Sequence, residues 1–142
     1  MMSRPNPLTD LPLRSLLFCP GANPDRMRKA MAAGADAVIL DLEDSVDPSA
    51  KAPARALVAE VLAAARRLPA VVRINAEDGP HHLPDLAMAL RAGADAVMLP
   101  KCDCPADLAR LAQRMDALEA AFDMAQGRTA ILPLVTESAL AL

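Results

Sequence analysis

Asp41, Glu43 and Asp44 place three carboxylates within four residues at the end of an apolar run, and Arg73, Asn75, Lys101 and Glu137 stand at or just beyond the ends of three later runs. Clustered carboxylates suit a hard divalent cation such as Mg²⁺, which takes one or two of them and completes its shell with substrate oxygens and water. A guanidinium or an ammonium beside them binds anionic oxygen. Types and spacing together point to a combined metal and anion site. Plainer roles are open to each residue: the acidic segment as a solvated loop capping a helix, Arg73 as its ion-pair partner, Lys101 as a surface lysine.

Such residues need a scaffold that brings distant strand ends together, and a repeat in the chain indicates one. Gly34 to Leu40 reads GADAVIL and Gly93 to Leu99 reads GADAVML. A Gly-Ala-Asp turn followed by a short apolar run marks a helix end, a tight turn and a strand buried on both faces, the kind found in parallel sheets. The spacing of the copies leaves room for one strand between them, supplied by Val71 to Asn75. The full reading is strands at Leu16 to Phe18, Ala37 to Asp41, Val71 to Asn75, Ala96 to Leu99 and Ala130 to Val135. Helices are expected from Asn23-Pro24-Asp25 through Ala33, from Asp47-Pro48-Ser49 to about Arg67, from Leu83 to Ala92 and from Ala106 to about Ala125.

Strict alternation with a strand about every thirty residues selects an α/β fold with a parallel sheet, at the pitch of a TIM barrel, which spreads about 250 residues over eight units. The expectation is a TIM (β/α)8 barrel represented by about five β/α units. A flavodoxin-type open sheet fits the length but calls for a covering helix after the fifth strand, where only Ser138 to Leu142 remain. Residues 1–13 read as a disordered leader, and 14–142 as the N-terminal part of a single barrel domain. In either architecture the ligand site lies at the carboxyl ends of the strands, where the residues named above fall.

Composition removes other function classes. The 142-residue chain carries a net charge of −3 and only two aromatic residues, Phe18 and Phe122. It has no basic footprint for nucleic acid and no stacking platform for single strands. No run reaches membrane-spanning length and the N-terminus lacks a signal-peptide core. Cys19, Cys102 and Cys104 fit neither a disulfide framework nor common zinc spacing; they read as reduced cysteines of a cytoplasmic chain. Lys51 and Arg55, four apart on one helical face, read as a solvated face, and His81 and His82 as loop residues without a role.

Taken in order, Arg14 to Phe18 with Pro20-Gly21, Asp36 to Val46 (DAVILDLEDSV), Lys51 with Ala54-Arg55, Val72 to Asn75 (VRIN), Met98 to Lys101 (MLPK) and Glu137 resemble the HpcH/HpaI aldolase and citrate lyase family, in its citrate lyase beta subunit-like, CoA-ester lyase branch. The resemblance implies a Mg²⁺-dependent barrel that cleaves or forms a carbon–carbon bond between an oxo acid and an acyl thioester, carried on CoA or an acyl carrier. It implies that Arg73 faces the reacting carbonyl, that Glu137 is a metal ligand, and that Glu43 and Asp44 order the metal's waters or the arginine. Arg14, Asn75 and Lys101 join Arg73 as substrate-binding residues, and Lys51 and Arg55 gain a possible place near CoA phosphates or in subunit packing. Trimers or hexamers are common in the family. The family's Ile-Glu-Thr is replaced by Thr136-Glu137-Ser138, and its second metal-binding Asp and its acid–base group are expected beyond residue 142. Activity is therefore expected of a complete barrel rather than of this segment. Two other readings stand beside it: a noncatalytic binding or assembly module, and a metal-dependent aldolase acting on pyruvate or phosphoenolpyruvate.

Overall fold

The structure, a computed structural model, describes residues 8, 12–135 and 137–139. Apart from Leu8, Pro12 and Leu13, the leader expected over 1–13 lies outside the described residues. From Leu16 to Pro133, among the described residues, five strands alternate with four α-helices: β1 (Leu16–Pro20), α1 (Pro24–Met31), β2 (Ala37–Asp41), α2 (Lys51–Ala63, after a 3-10 turn at Pro48–Ala50), β3 (Ala70–Arg73), α3 (His82–Arg91), β4 (Ala96–Leu99), α4 (Pro105–Ala121) and β5 (Ala130–Pro133).

All pairings are parallel and the strand order is β1-β2-β3-β4-β5. Sequential order separates the two architectures that the sequence allows. A doubly wound sheet reverses direction at a switch point, whereas each strand here lies beside its successor, as in a barrel wall. The side-chain period of two then divides the sheet into faces. Val38, Leu40, Val72, Val97 and Leu99 share one core with Met27, Val58, Leu86, Leu111 and Met115 of the helices. Ile39, Val71, Ala96 and Met98 form a second cluster with Leu8, Leu16, Ala130 and Leu132. Helices cover the first face, and the second is the inner face of a partial TIM barrel. Among the described residues no helix is long and apolar enough to cross a membrane.

The helices begin where local chemistry allows. The Asn23 side chain accepts from Arg26 N at 2.9 Å, with Pro24 in the first turn. Asp47 accepts from Ser49 N at 2.8 Å, and Asp107 accepts from the backbone of Asp103 and Cys104 at 2.8 and 2.9 Å. These contacts satisfy N–H groups that the first turn leaves free. Two ends fall short of expectation: α4 stops at Ala121 instead of about Ala125, with Asp123 turning left-handed at φ +56°, and α2 stops at Ala63 instead of about Arg67, where Arg66 is drawn to the next unit. Its Nη2 donates to Gly93 O at 2.6 Å and to Asp95 Oδ2 at 2.9 Å, and Ala64 turns extended.

Both copies of the repeat build the same joint. Gly34 and Gly93 take φ of +80° and +77°, the left-handed region that only glycine enters without strain. The aspartate that follows pins the start of the neighbouring strand: Asp36 Oδ2 accepts from Arg14 N and Ser15 N at 2.9 Å each, and Asp95 Oδ2 accepts from Ala70 N at 2.8 Å. The repeat is therefore a device of the amino ends, and leaves the carboxyl ends free to differ.

Candidate active site

The carboxyl ends of β2, β3, β4 and β5 meet around Arg73. Register places Asp41, the last residue of β2, beside Arg73, the last of β3. Both side chains point to the inner face, and they form a two-pronged pair: Nε to Oδ1 and Nη2 to Oδ2, each at 2.7 Å. Glu43 Oε2 lies 3.2 Å and Asp44 Oδ2 3.5 Å from Nη1 of the same guanidinium. Phe18 of β1 lies under it, with the ring centroid 5.1 Å away, a cation–π contact. Asp41 anchors the arginine, and Nη1 and the second Nη2 proton remain for other oxygens.

Asp41 also closes the turn that follows it, its two oxygens accepting from Glu43 N at 2.9 Å and Ser45 N at 3.1 Å. Burial by itself would raise this carboxyl, but the hydrogen bonds from Arg73, Ser45 and the Glu43 N–H outweigh it and hold the group below the ordinary aspartate range. The Asp41 hydrogen bond correspondingly raises Arg73 further. Gly21 N in turn donates to Asp41 O at 2.8 Å. A Cβ at position 21 would lie 2.7 Å from that oxygen and 2.9 Å from Val58 Cγ2. Gly21→Ala is thus expected to cost about 1–3 kcal/mol in urea denaturation, the range for overpacking a close contact.

Lys101 joins two strand ends. Its Nζ lies 3.1 Å from Glu43 Oε1, and its backbone N donates to Glu137 Oε2 at 2.7 Å. The Glu43 contact raises its ammonium above the ordinary lysine value. Its φ of +52° is left-handed for a residue with a Cβ, a strain of the kind that gathers at functional sites. Glu43, Asp44 and Glu137 offer ligand oxygens that all lie within 4.8 Å of one another, and Glu43 Oε2 is buried without a hydrogen bond. A donor set made of carboxylate oxygens, one of them ion-paired with Arg73 but without a hydrogen bond, fits a hard cation such as Mg²⁺.

Of the residues singled out from sequence, Glu43, Asp44, Arg73, Lys101 and Glu137 come together here. Asn75 lies beneath them with its amide turned inward, donating to Leu42 O at 2.9 Å and Asp85 Oδ2 at 2.6 Å. Arg14 is a correction: it precedes β1 at the opposite end of the sheet, where Nη2 pairs with Asp36 at 3.0 Å on an exposed surface. The helical face of Lys51 and Arg55 is a second. Lys51 is buried on the carbonyls of Leu42 and Glu43, and Arg55 Nε binds buried Asp85 at 2.7 Å. His82 is a third: it is 1% exposed, between Asn75 O at 2.9 Å and Arg114 Nη1 at 3.1 Å. Asp41 was legible as a carboxylate at a strand end, and its hold on Arg73 follows from register alone. Phe18, Cys19, Pro20, Asp41 and Ser45 line a cavity of about 380 Å³ beside Arg73; Cys19 packs in the helix-side core, where burial raises its thiol.

Fold and rim define a partial (β/α)8 barrel whose strand ends gather carboxylates around an anchored guanidinium. The chain belongs to the HpcH/HpaI aldolase/citrate lyase family, whose model matches residues 14–142. It is 37% identical over 124 residues to the citrate lyase subunit beta of Escherichia coli K12, covering 86% of this chain and 41% of that protein. It is 40% identical over 123 residues to an L-malyl-CoA/beta-methylmalyl-CoA lyase of Cereibacter sphaeroides, covering 83% of this chain and 37% of that one. Among solved structures, the citrate lyase beta subunit from M. tuberculosis complexed with oxaloacetate and magnesium superposes with a TM-score of 0.61 at 35% identity, covering 83% of this chain and 56% of the other. The chain thus spans about two fifths of the length of the curated relatives it matches.

Proposed function

We propose that this segment forms the arginine and carboxylate side of a Mg²⁺-dependent CoA-ester lyase site, which cleaves a 3-hydroxyacyl thioester of the citryl or malyl type into an acyl thioester and an oxo acid. The observation that carries the reading is Arg73, held in one orientation by Asp41 and set against the oxygens of Glu43 and Asp44, with Glu137 beside them. Relatives named as citrate lyase and malyl-CoA lyase, and a neighbour crystallised with magnesium and oxaloacetate, support it.

The proposed cleavage passes the proton of the 3-hydroxyl to the acid–base group expected beyond residue 142, which returns a proton to C2 to release the acyl thioester, and breaks the bond between C2 and C3. The electron pair passes to C2 and onto the thioester oxygen as an enolate, and the oxo acid leaves. Arg73 offers its unengaged N–H groups to the carbonyl oxygen on which charge collects. Because Asp41 already fixes the guanidinium plane, little reorganisation is needed as the charge develops. Lys101 orients Glu43 and Glu137 and presents an ammonium to a substrate carboxylate. Glu137, with Glu43 and Asp44, would hold Mg²⁺, which supplies Lewis-acid polarisation of an oxygen ligand when bound.

Two measurements test this. Mn²⁺, followed by electron paramagnetic resonance as a stand-in for Mg²⁺, is expected to bind this chain weakly or not at all and to bind a complete barrel that carries it, where Glu43→Gln is expected to weaken binding about tenfold. No binding by the complete barrel, or equal binding by its Glu43→Gln variant, would count against the cation site. In a protein that carries this segment within a complete barrel, condensation of acetyl-CoA with glyoxylate or oxaloacetate is expected. Activity confined to pyruvate as the aldol donor would replace the thioester reading with the pyruvate one.

A further inference from the structure

The turn that carries Glu43 and Asp44 is held from beneath by residues that the proposed chemistry does not use. Lys51, the first residue of α2, is 7% exposed, although lysine is rarely buried unless it is paired. Its ammonium donates to Leu42 O at 2.8 Å and to Glu43 O at 2.5 Å. Successive carbonyls of a strand point to opposite sides. Two consecutive carbonyls that share one donor therefore break the strand beyond Asp41 and turn the chain. Asn75 Nδ2 adds a second donor to Leu42 O at 2.9 Å. That amide is itself fixed: Asp85 Oδ2 accepts from Asn75 N at 3.0 Å and from Nδ2 at 2.6 Å, while Arg55 takes the other Asp85 oxygen. Space alone could be filled by an apolar residue at lower desolvation cost.

We propose that Lys51 is a positioning residue: with Asn75 it locks the carbonyls of Leu42 and Glu43, aims the Glu43 and Asp44 carboxylates at Arg73 and Glu137, and so sets the cation affinity of the rim. The part concerning the cation rests on the function proposed above; the locking of the turn does not. Hydrogen exchange by NMR on the full chain reads the turn directly through the amides of Glu43 and Ser45, both bonded to Asp41. Lys51→Met is expected to raise exchange at these two amides about tenfold with Val72 and Val97 unchanged, and Lys51→Arg, which keeps charge and donors, to restore them to within about threefold. A space-filling role predicts the reverse order, Met tolerated and Arg disruptive. Unchanged exchange in Lys51→Met, or an equal rise throughout the sheet, overturns the proposal. If Lys51→Met does not fold, Asn75→Ala decides: a rise confined to Glu43 and Ser45 supports the lock and an unchanged rate refutes it. Mn²⁺ affinity of a complete barrel carrying this segment should follow the same order, about tenfold weaker in Lys51→Met and near normal in Lys51→Arg. An unsubstituted complete barrel that binds no Mn²⁺ would overturn the cation site, and the exchange result alone would then judge Lys51.

Discussion

Arg73→Lys is expected to remove nearly all carbon–carbon cleavage from an enzyme built on this rim, lowering kcat by about 10²–10³-fold, the usual cost of losing a donor aimed at a developing oxyanion. Lysine keeps the charge but loses the geometry. Nε and Nη2 of Arg73 occupy both oxygens of Asp41 while Nη1 faces Glu43. An ammonium on a flexible stem is a point charge that settles on one carboxylate and leaves the reacting carbonyl without a fixed donor. Stability should fall far less than turnover, because Asp41 still meets a cation. The measurement is kcat for condensation of acetyl-CoA with an oxo acid, in a protein that contains the whole barrel. Near-normal kcat in the variant would take Arg73 out of the chemistry.

Asp41→Ala is expected to carry the largest stability loss, about 3–5 kcal/mol in urea denaturation at neutral pH, the range for removing one partner of a buried pair. The side chains of Asp41 and Arg73 are 3% and 11% exposed, so water does not replace what is lost. The same substitution frees the N–H groups of Glu43 and Ser45. A loss below about 1 kcal/mol, typical of an exposed pair, would show that the pair is not the keystone of the rim. Its pH dependence has a definite sign. A carboxyl held below its ordinary value in the folded chain stabilises the fold fully above about pH 4 and loses that contribution as pH falls through its lowered value. The difference between wild type and Asp41→Ala should be constant near neutrality and shrink on acidification.

Strand and helix identity were legible because they depend on neighbours close in sequence. Apolar runs marked every strand, with Gly-Ala-Asp turns before β2 and β4 and Pro-Gly after β1, and Asn23 and Asp47 mark helix starts that the structure keeps. The end of α2 was not legible, since nothing in Ala64 to Arg67 stops a helix. The stop comes from Gly93 and Asp95, in the next unit of the chain.

At the rim, the sequence by itself determined the chemical cast: carboxylates, one arginine and one lysine at successive strand ends of a parallel α/β chain, in the order that marks the HpcH/HpaI aldolase/citrate lyase family. Only the tertiary structure decided who binds whom. Parallel register sets Asp41 against Arg73 across 32 residues, and no local pattern encodes that pairing. Burial was equally hidden for Lys51, His82 and Asp85. Their types predict a solvated surface, and they are interior because the segments after β2 and β3 and the side chains of Arg55 and Arg114 supply hydrogen-bond partners. Arg14 shows the converse: its place in a familiar motif suggested the site, yet the direction of β1 carries it to the other end of the sheet. Residue type follows from sequence, whereas the distance between charges and their access to water are properties of the folded chain.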